Sequence, residues 1–238
     1  MRAMLVLAAL VVAFAACVQA SIGFAYALLA APLLQLVSPE LVPGPVLVSS
    51  FMLSGLTAWR ERTNIDRRGV AIALTGRVPG AVLAGLAIGL LPARTYDVLF
   101  GSVVLVAVLI CLWTKGVRPT TPALLIAGFA SGIMGTLTSV GGPPIALVYQ
   151  NSKGPELRST LNCYFAIGCL ISIAVLTVAG QFELKHLLLG LASLPLIGVG
   201  FYGSRFTRDR VDGPHLRPAV LWIAALSSLA VVIKALLR

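Results

Sequence analysis

Residues 138–147, TSVGGPPIAL, interrupt one of the most apolar parts of the chain, between ALLIAGFASGIMG (123–135) and IALVYQN (145–151). Two glycines and two prolines break any helix there, because proline lacks the N–H and glycine gains little from helical order. Backbone groups freed in this way need other partners, and in hydrocarbon each unsatisfied group costs several kcal/mol. The purpose of the interruption therefore depends on the solvent around it.

Composition identifies that solvent. Of 238 residues, 58% are hydrophobic and 11% charged, with a mean hydropathy of +0.98. Soluble domains carry roughly 25% charged residues, so this chain has too little polar surface for water and reads as a polytopic membrane protein. At about 20 apolar residues per crossing, the length allows roughly seven to nine spans with no separate soluble domain. The net charge of +10 sits in short loops between apolar runs. That is a topology signal rather than a nucleic-acid surface.

Cys17, Cys111, Cys163 and Cys169 lie in or beside apolar runs without C-x-x-C or zinc spacing. They read as small hydrophobes, and no metal or cofactor is expected. His186 and His215 read as loop residues, which leaves no Ser/His/Asp constellation and argues against an enzyme. The opening MRAMLVLAALVVAFAACVQAS (1–21) mimics a cleavable signal, but the apolar pattern resumes with FAYALLAAPLL (24–34). A retained helix is the expectation.

The apolar runs lie at 3–18, 24–37, 45–59, 70–91, 96–113, 122–137, 143–150, 159–179, 187–204 and 217–237. The short ones flank two interruptions, QASIGF (19–24) and TSVGGPP (138–144). Ser21-Ile22-Gly23 aligns with Ser139-Val140-Gly141, and Pro79 with Gly85 resembles Pro195 with Gly203. The chain thus reads as two transmembrane repeats, 1–118 and 119–238, each a broken (re-entrant) helical pair followed by three transmembrane helices. Such repeats are common in transporters. An odd number of full crossings per half would invert the second repeat relative to the first.

Charge agrees with this threading. Twelve of the eighteen basic residues, between Arg60 and Arg68, at Lys115 and Arg118, at Lys153 and Arg158, and between Arg205 and Arg217, gather on one side. Five, Arg2, Arg94, Lys185, Lys234 and Arg238, gather on the other. The richer side is expected to be cytoplasmic, with both termini outward. A full double crossing has the same parity as a hairpin, so charge does not separate them.

Broken helices at membrane depth suit an anion site, since free N–H groups at a half-helix N-terminus carry partial positive charge. Ser139 is expected to cap a half-helix beginning near Pro143, while Gly141 and Gly142 let a ligand approach the backbone. Ser21 and Gly23 are expected to act likewise before Phe24. Two hairpins from opposite faces would meet near the midplane. The alternative is a packing kink.

Arg77, the one basic residue within a span, either faces the path or snorkels to the interface about 10 Å away. All eight acidic residues read as loop or span-end groups. Gln19, Thr136, Thr138, Gln150, Asn151 and Asn162 are further candidates to line an oxyanion path, with interhelical hydrogen bonding as the alternative for each. Gly132, in the same helical run but away from the break, is expected to suffer less from an added methyl group than Gly142.

Together, ASIGFAYALLAAPLL (20–34) and TSVGGPPIALVYQNS (138–152) resemble the TauE/SafE family of sulfite-exporter-type anion transporters, over essentially the whole chain. In that family a glycine-rich segment opens each half. Here Phe24-Ala25-Tyr26 follows Gly23 in place of a fuller glycine run. The resemblance implies an all-α inner-membrane transporter of small sulfur-containing anions such as sulfite, sulfoacetate or related organosulfonates. Secondary active export is the preferred mode, with protons as a candidate coupling ion and a homo-oligomer left open. A passive anion channel and a non-transport membrane assembly subunit are the alternatives. The substrate-binding candidates are Gln19, Ser21, Gly23, Arg77, Thr138, Ser139, Gly141, Gly142 and Asn162.

Overall fold

The computed structural model describes residues 2–113, 117–152, 154–211 and 216–237; Lys115, Lys153, Asp212, His215 and Arg238 lie outside them. Every regular element among the described residues is helical: α1 Arg2–Ile22, α2 Tyr26–Val37, α3 Gly44–Arg60, α4 Arg67–Ile88, α5 Ala93–Trp113, α6 Thr121–Thr138, α7 Gly142–Tyr149, α8 Gly154–Val178, α9 Leu184–Ala192, α10 Leu194–Val211 and α11 Leu216–Leu236. Seven stretches are long and apolar enough to cross a bilayer: Pro39–Arg60, Arg67–Ile88, Ala93–Leu112, Thr121–Thr138, Gly154–Val178, Leu184–Arg205 and Ala219–Leu236. Outward-facing Leu86, Ile126, Val199 and Trp222 are each more than 60% exposed. Such side chains spread over a helical bundle suit lipid better than water.

The helix starts follow from local chemistry. Proline stands in the first turn of α3, α6 and α7, where its missing N–H costs nothing. Asp66 caps α4 by accepting the Gly69 amide at 2.9 Å. At α9, Glu183 and His186 form a reciprocal capping box, so His186 is helical rather than a loop residue as its sequence position suggested.

Polar contacts sort the helix ends into two sets. At one end Arg158 Nε donates to both oxygens of Glu61 at 3.1 Å, and Tyr149 donates to Asp66 at 2.7 Å. Also there, the Val117 amide meets the Leu147 carbonyl at 3.4 Å. At the opposite end Arg94 donates to the Leu236 carbonyl at 3.1 Å, Lys234 to that of Leu36 at 3.2 Å, and Gln35 to Asp97 at 2.8 Å. The Val117 contact brings the segment leading into α6 to the end of α7. Ala8 and Ala9 of α1 share a cavity wall with Leu41, just beyond α2, and with Leu189.

The most extensive helix contacts are α4 with α6 and α1 with α10, followed by α3 with α8 and α5 with α11. Exchanging the first five helices for the rest, with α9 and α10 together standing for α4, maps these pairings onto one another. In the α4–α6 crossing, Gly76 and Gly80 face the carbonyls of Leu125 and Phe129, while Gly128 and Gly132 face those of Ala73 and Arg77. A Cβ at any of the four would collide with main chain. Small residues one turn apart let two backbones touch, which drives association where lipid removes the hydrophobic force. Gly132 thus has less room for a methyl group than Gly142, contrary to the sequence expectation. The paired spacings Gly76-x3-Gly80 and Gly128-x3-Gly132 are the signal for it.

Candidate functional site

At the first interruption α1 runs through Ile22 and α2 begins at Tyr26, with Gly23 at φ 96° and Ala25 at φ 144°. Side-chain amides replace the lost helical bonds. Gln19 Oε1 accepts the Tyr26 amide at 3.0 Å, and its Nε2 donates to Ser54 Oγ at 3.0 Å and Asn162 Oδ1 at 3.1 Å. Asn162 Nδ2 donates to the Gly23 carbonyl at 2.8 Å. Ser21 is not the cap: it lies inside α1, with its hydroxyl on the Cys17 carbonyl at 2.9 Å. Gln19 takes that role because the chain must leave the helix before Tyr26, and only a longer side chain reaches forward. Gly23 is held against Arg158, whose Cγ would lie 2.7 Å from an added Cβ.

The second interruption is built differently. Ser139, at φ 65°, ends α6, and its Oγ donates to the Pro43 carbonyl at 3.0 Å. It does not cap α7; Gly141 stands at that position, with no side-chain cap. Thr138 Oγ1 accepts the Val140 amide at 3.1 Å, and Ser131 Oγ donates to the Gly141 carbonyl at 2.5 Å. Because α7 opens Gly142-Pro143-Pro144, two positions of its first turn offer no N–H. The helix end alone is therefore a poor anion cradle. Its link to Pro43 also puts Ser139 beside the start of α3.

Positive charge comes instead from Arg77. Its residue exposure is 2%, so it turns inward and does not snorkel. Nη1 donates to Ser131 Oγ at 2.9 Å and to Tyr164 Oη at 3.4 Å, Nη2 donates to Ser172 Oγ at 3.2 Å, and the guanidinium carbon lies 5.3 Å from the Tyr164 ring centre. All these partners are neutral, and Nε has none. Glycines make the space: a Cβ on Gly168 would strike Nε, one on Gly135 would lie 2.9 Å from Nη2, and one on Gly141 3.2 Å from Nη1.

Both interruptions and Arg77 line one cavity with about 40 Å³ open to the centres of water-sized spheres. A single water needs about 10–15 Å³ on that measure, so there is room for a few atoms. Gln19, Arg77, Ser139, Gly141 and Gly142 stand in its wall, with Ala25, Ser50, Ser54 and the apolar side chains of Phe24, Leu28 and Phe165. Ser21, Gly23, Thr138 and Asn162 do not line it; they shape the two turns behind it. Gln150 and Asn151 are likewise absent from its wall, and Thr136 pairs with Ser172 at 2.9 Å.

Two features escaped the sequence. Ser50 Oγ is buried on the cavity wall with no hydrogen-bond partner. The signal for it was Ser50 and Ser54 one turn apart on α3. The second is Glu61, whose side chain is only 9% exposed and is paired with Arg158 beneath Gly23. As a residue it is half-buried just past the end of α3, a loop position as expected, and only its pairing with Arg158, 97 positions away, has no local signal.

A bundle of apolar helices, seven stretches of it long and apolar enough to cross a bilayer, defines a multi-pass membrane protein, here with a buried, positively charged cavity. The sequence model of the sulfite exporter TauE/SafE family matches residues 8–231. The chain belongs to that family, which is one of transporters. No curated protein and no solved structure matches it.

Proposed function

We propose that this protein carries small sulfur-containing anions, such as sulfite, sulfoacetate or related organosulfonates, across the inner membrane by secondary active export, with protons the coupling ion to test first. The observation that carries the reading is Arg77: a buried guanidinium among neutral hydroxyls, facing a cavity between two broken helices. A buried charge without a counter-ion is costly, and an anion in the cavity would supply one. Two inverted repeats fit the exchangeable helix pairings. On this reading the α1–α2 and α6–α7 pairs are re-entrant hairpins with opposite open ends, and the end carrying Glu61, Asp66 and Arg158 faces the cytoplasm.

The test is flux of labelled sulfite and a panel of organosulfonates in proteoliposomes, with and without a pH gradient. Arg77→Gln is expected to lower flux at least tenfold while the protein stays folded. Arg77→Lys should recover part of it, since a point charge remains although the planar fork is lost. Full flux by Arg77→Gln at normal expression would overturn the assignment, and flux that ignores the gradient would overturn proton coupling.

A further inference from the structure

The cavity pairs one formal charge with an apolar wall. Among the described residues lining it, Arg77 is the sole cation, and no carboxylate stands beside it. Arg158 is bound to Glu61 at 3.1 Å, so its charge is already matched. Pro143 and Pro144 remove amide donors from the nearby helix start. Against this single charge stand Phe24, Leu28 and Phe165, and one buried hydroxyl, Ser50, 6% exposed and without a partner.

Resting on the reading that this cavity is the substrate site, we infer that it selects singly charged oxyanions over doubly charged ones, with Ser50 donating to the anion and the aromatic wall receiving an apolar substituent. One guanidinium neutralises one negative charge. A second would be buried uncompensated, at a cost that neutral donors do not offset. The partnerless Ser50 hydroxyl supplies the donor that an oxyanion oxygen beyond reach of the guanidinium needs, since a buried polar group left unmatched is unfavourable. For sulfite, whose second ionisation falls near neutral pH, only the singly protonated form would bind, and among the proposed substrates sulfoacetate, doubly charged at neutral pH through its sulfonate and carboxylate, would be disfavoured.

The groups that could confuse a pH experiment are few. Tyr164 and Cys169 of α8 face Arg77 or the cavity, whereas α1, α3 and α6 present Gln19, Ser50, Ser54 and Ser131, which do not titrate. A permanently monoanionic ligand reports any contribution from the first two.

Binding of methanesulfonate, sulfate and sulfite to the purified full chain in nanodiscs, measured by calorimetry on both sides of the second ionisation of sulfite, tests the inference without requiring flux. Methanesulfonate should bind equally at both pH values, and sulfate at least tenfold more weakly. Sulfite should weaken about tenfold per pH unit above its ionisation, following the fraction of competent ligand. Ser50→Ala should weaken methanesulfonate several-fold, with an unchanged melting temperature. Sulfate binding as tightly as methanesulfonate, or sulfite affinity flat across the ionisation, would refute charge selection while leaving an anion site in place. Binding of none of the three would remove the site itself. Unchanged methanesulfonate affinity in Ser50→Ala would remove Ser50 from it.

Discussion

At the first interruption the chain turns on side chains, with the Gln19 and Asn162 amides spanning from Tyr26 to Gly23 and bonded to each other. At the second it turns on main chain and hydroxyls, with Ser139 in a left-handed conformation, Ser131 on the Gly141 carbonyl, and glycines that admit Arg77. Amides already bonded to one another have little capacity left for a ligand. The second turn leaves a charge and glycine backbone facing the cavity. The two interruptions thus differ in construction: amide side chains close the first on itself, and the second leaves a guanidinium and glycine backbone at the cavity wall, where the proposed function places its chemistry.

The largest effect that separates them is on stability. Gly23→Ala must place a Cβ at φ 96° and against Arg158, so it should lose about 2–3 kcal/mol. A clear fall in melting temperature and a broadened size-exclusion profile would register it. Wild-type melting would mean that Gly23 is not wedged as described.

At the second interruption the effect should move to transport. Gly141→Ala crowds Ser131 and Nη1 of Arg77 and should cost flux about tenfold, or about 1.4 kcal/mol. Gly142→Ala should cost about twofold or less, because a Cβ there meets only Phe165 Cζ at 3.5 Å. Equal losses would show that backbone approach, rather than Arg77 placement, controls the site.

A smaller contrast lies in the polar partners. Gln19→Ala strands the Tyr26 amide and part of Asn162 and should destabilise by about 2 kcal/mol, whereas Ser139→Ala loses one bond to Pro43 and about 1 kcal/mol. Thermal melts of the two variants side by side would reveal a reversed order, which would put the weight of the fold on the second turn instead. Smallest of all, Ala25→Gly should raise the melting temperature slightly. Glycine accepts φ 144° without strain of about 1–3 kcal/mol, less about 0.4–1 kcal/mol for the freedom it adds to the unfolded chain. A lower melting temperature would argue that Ala25 is unstrained.

Much of this was legible residue by residue. The two interruptions, the order of pairs and spans around them and the singular position of Arg77 all follow from helix breakers and charge. The errors share one cause. Ser21 and Ser139 look equivalent by alignment, yet α1 continues through Ile22 while α6 stops at Thr138, and each hydroxyl takes the nearest carbonyl. Glu61 is the loop acid it was expected to be, but its partner Arg158, 97 positions away, is invisible to any local pattern. Gly132 looks more tolerant than Gly142 until α4 lies against it.

The sequence by itself determined the solvent, the helices and the places where they break, because composition, proline and glycine act through bonds and neighbours a few residues away. Only the tertiary structure decided which way Arg77 points. Snorkelling and turning inward are both open to an isolated helix. The choice falls inward because Gly135, Gly141 and Gly168, brought from three other segments, leave a guanidinium-shaped gap lined by Ser131, Tyr164 and Ser172. That gap exists only once α4, α6, α7 and α8 have packed, and no local pattern around Arg77 encodes it.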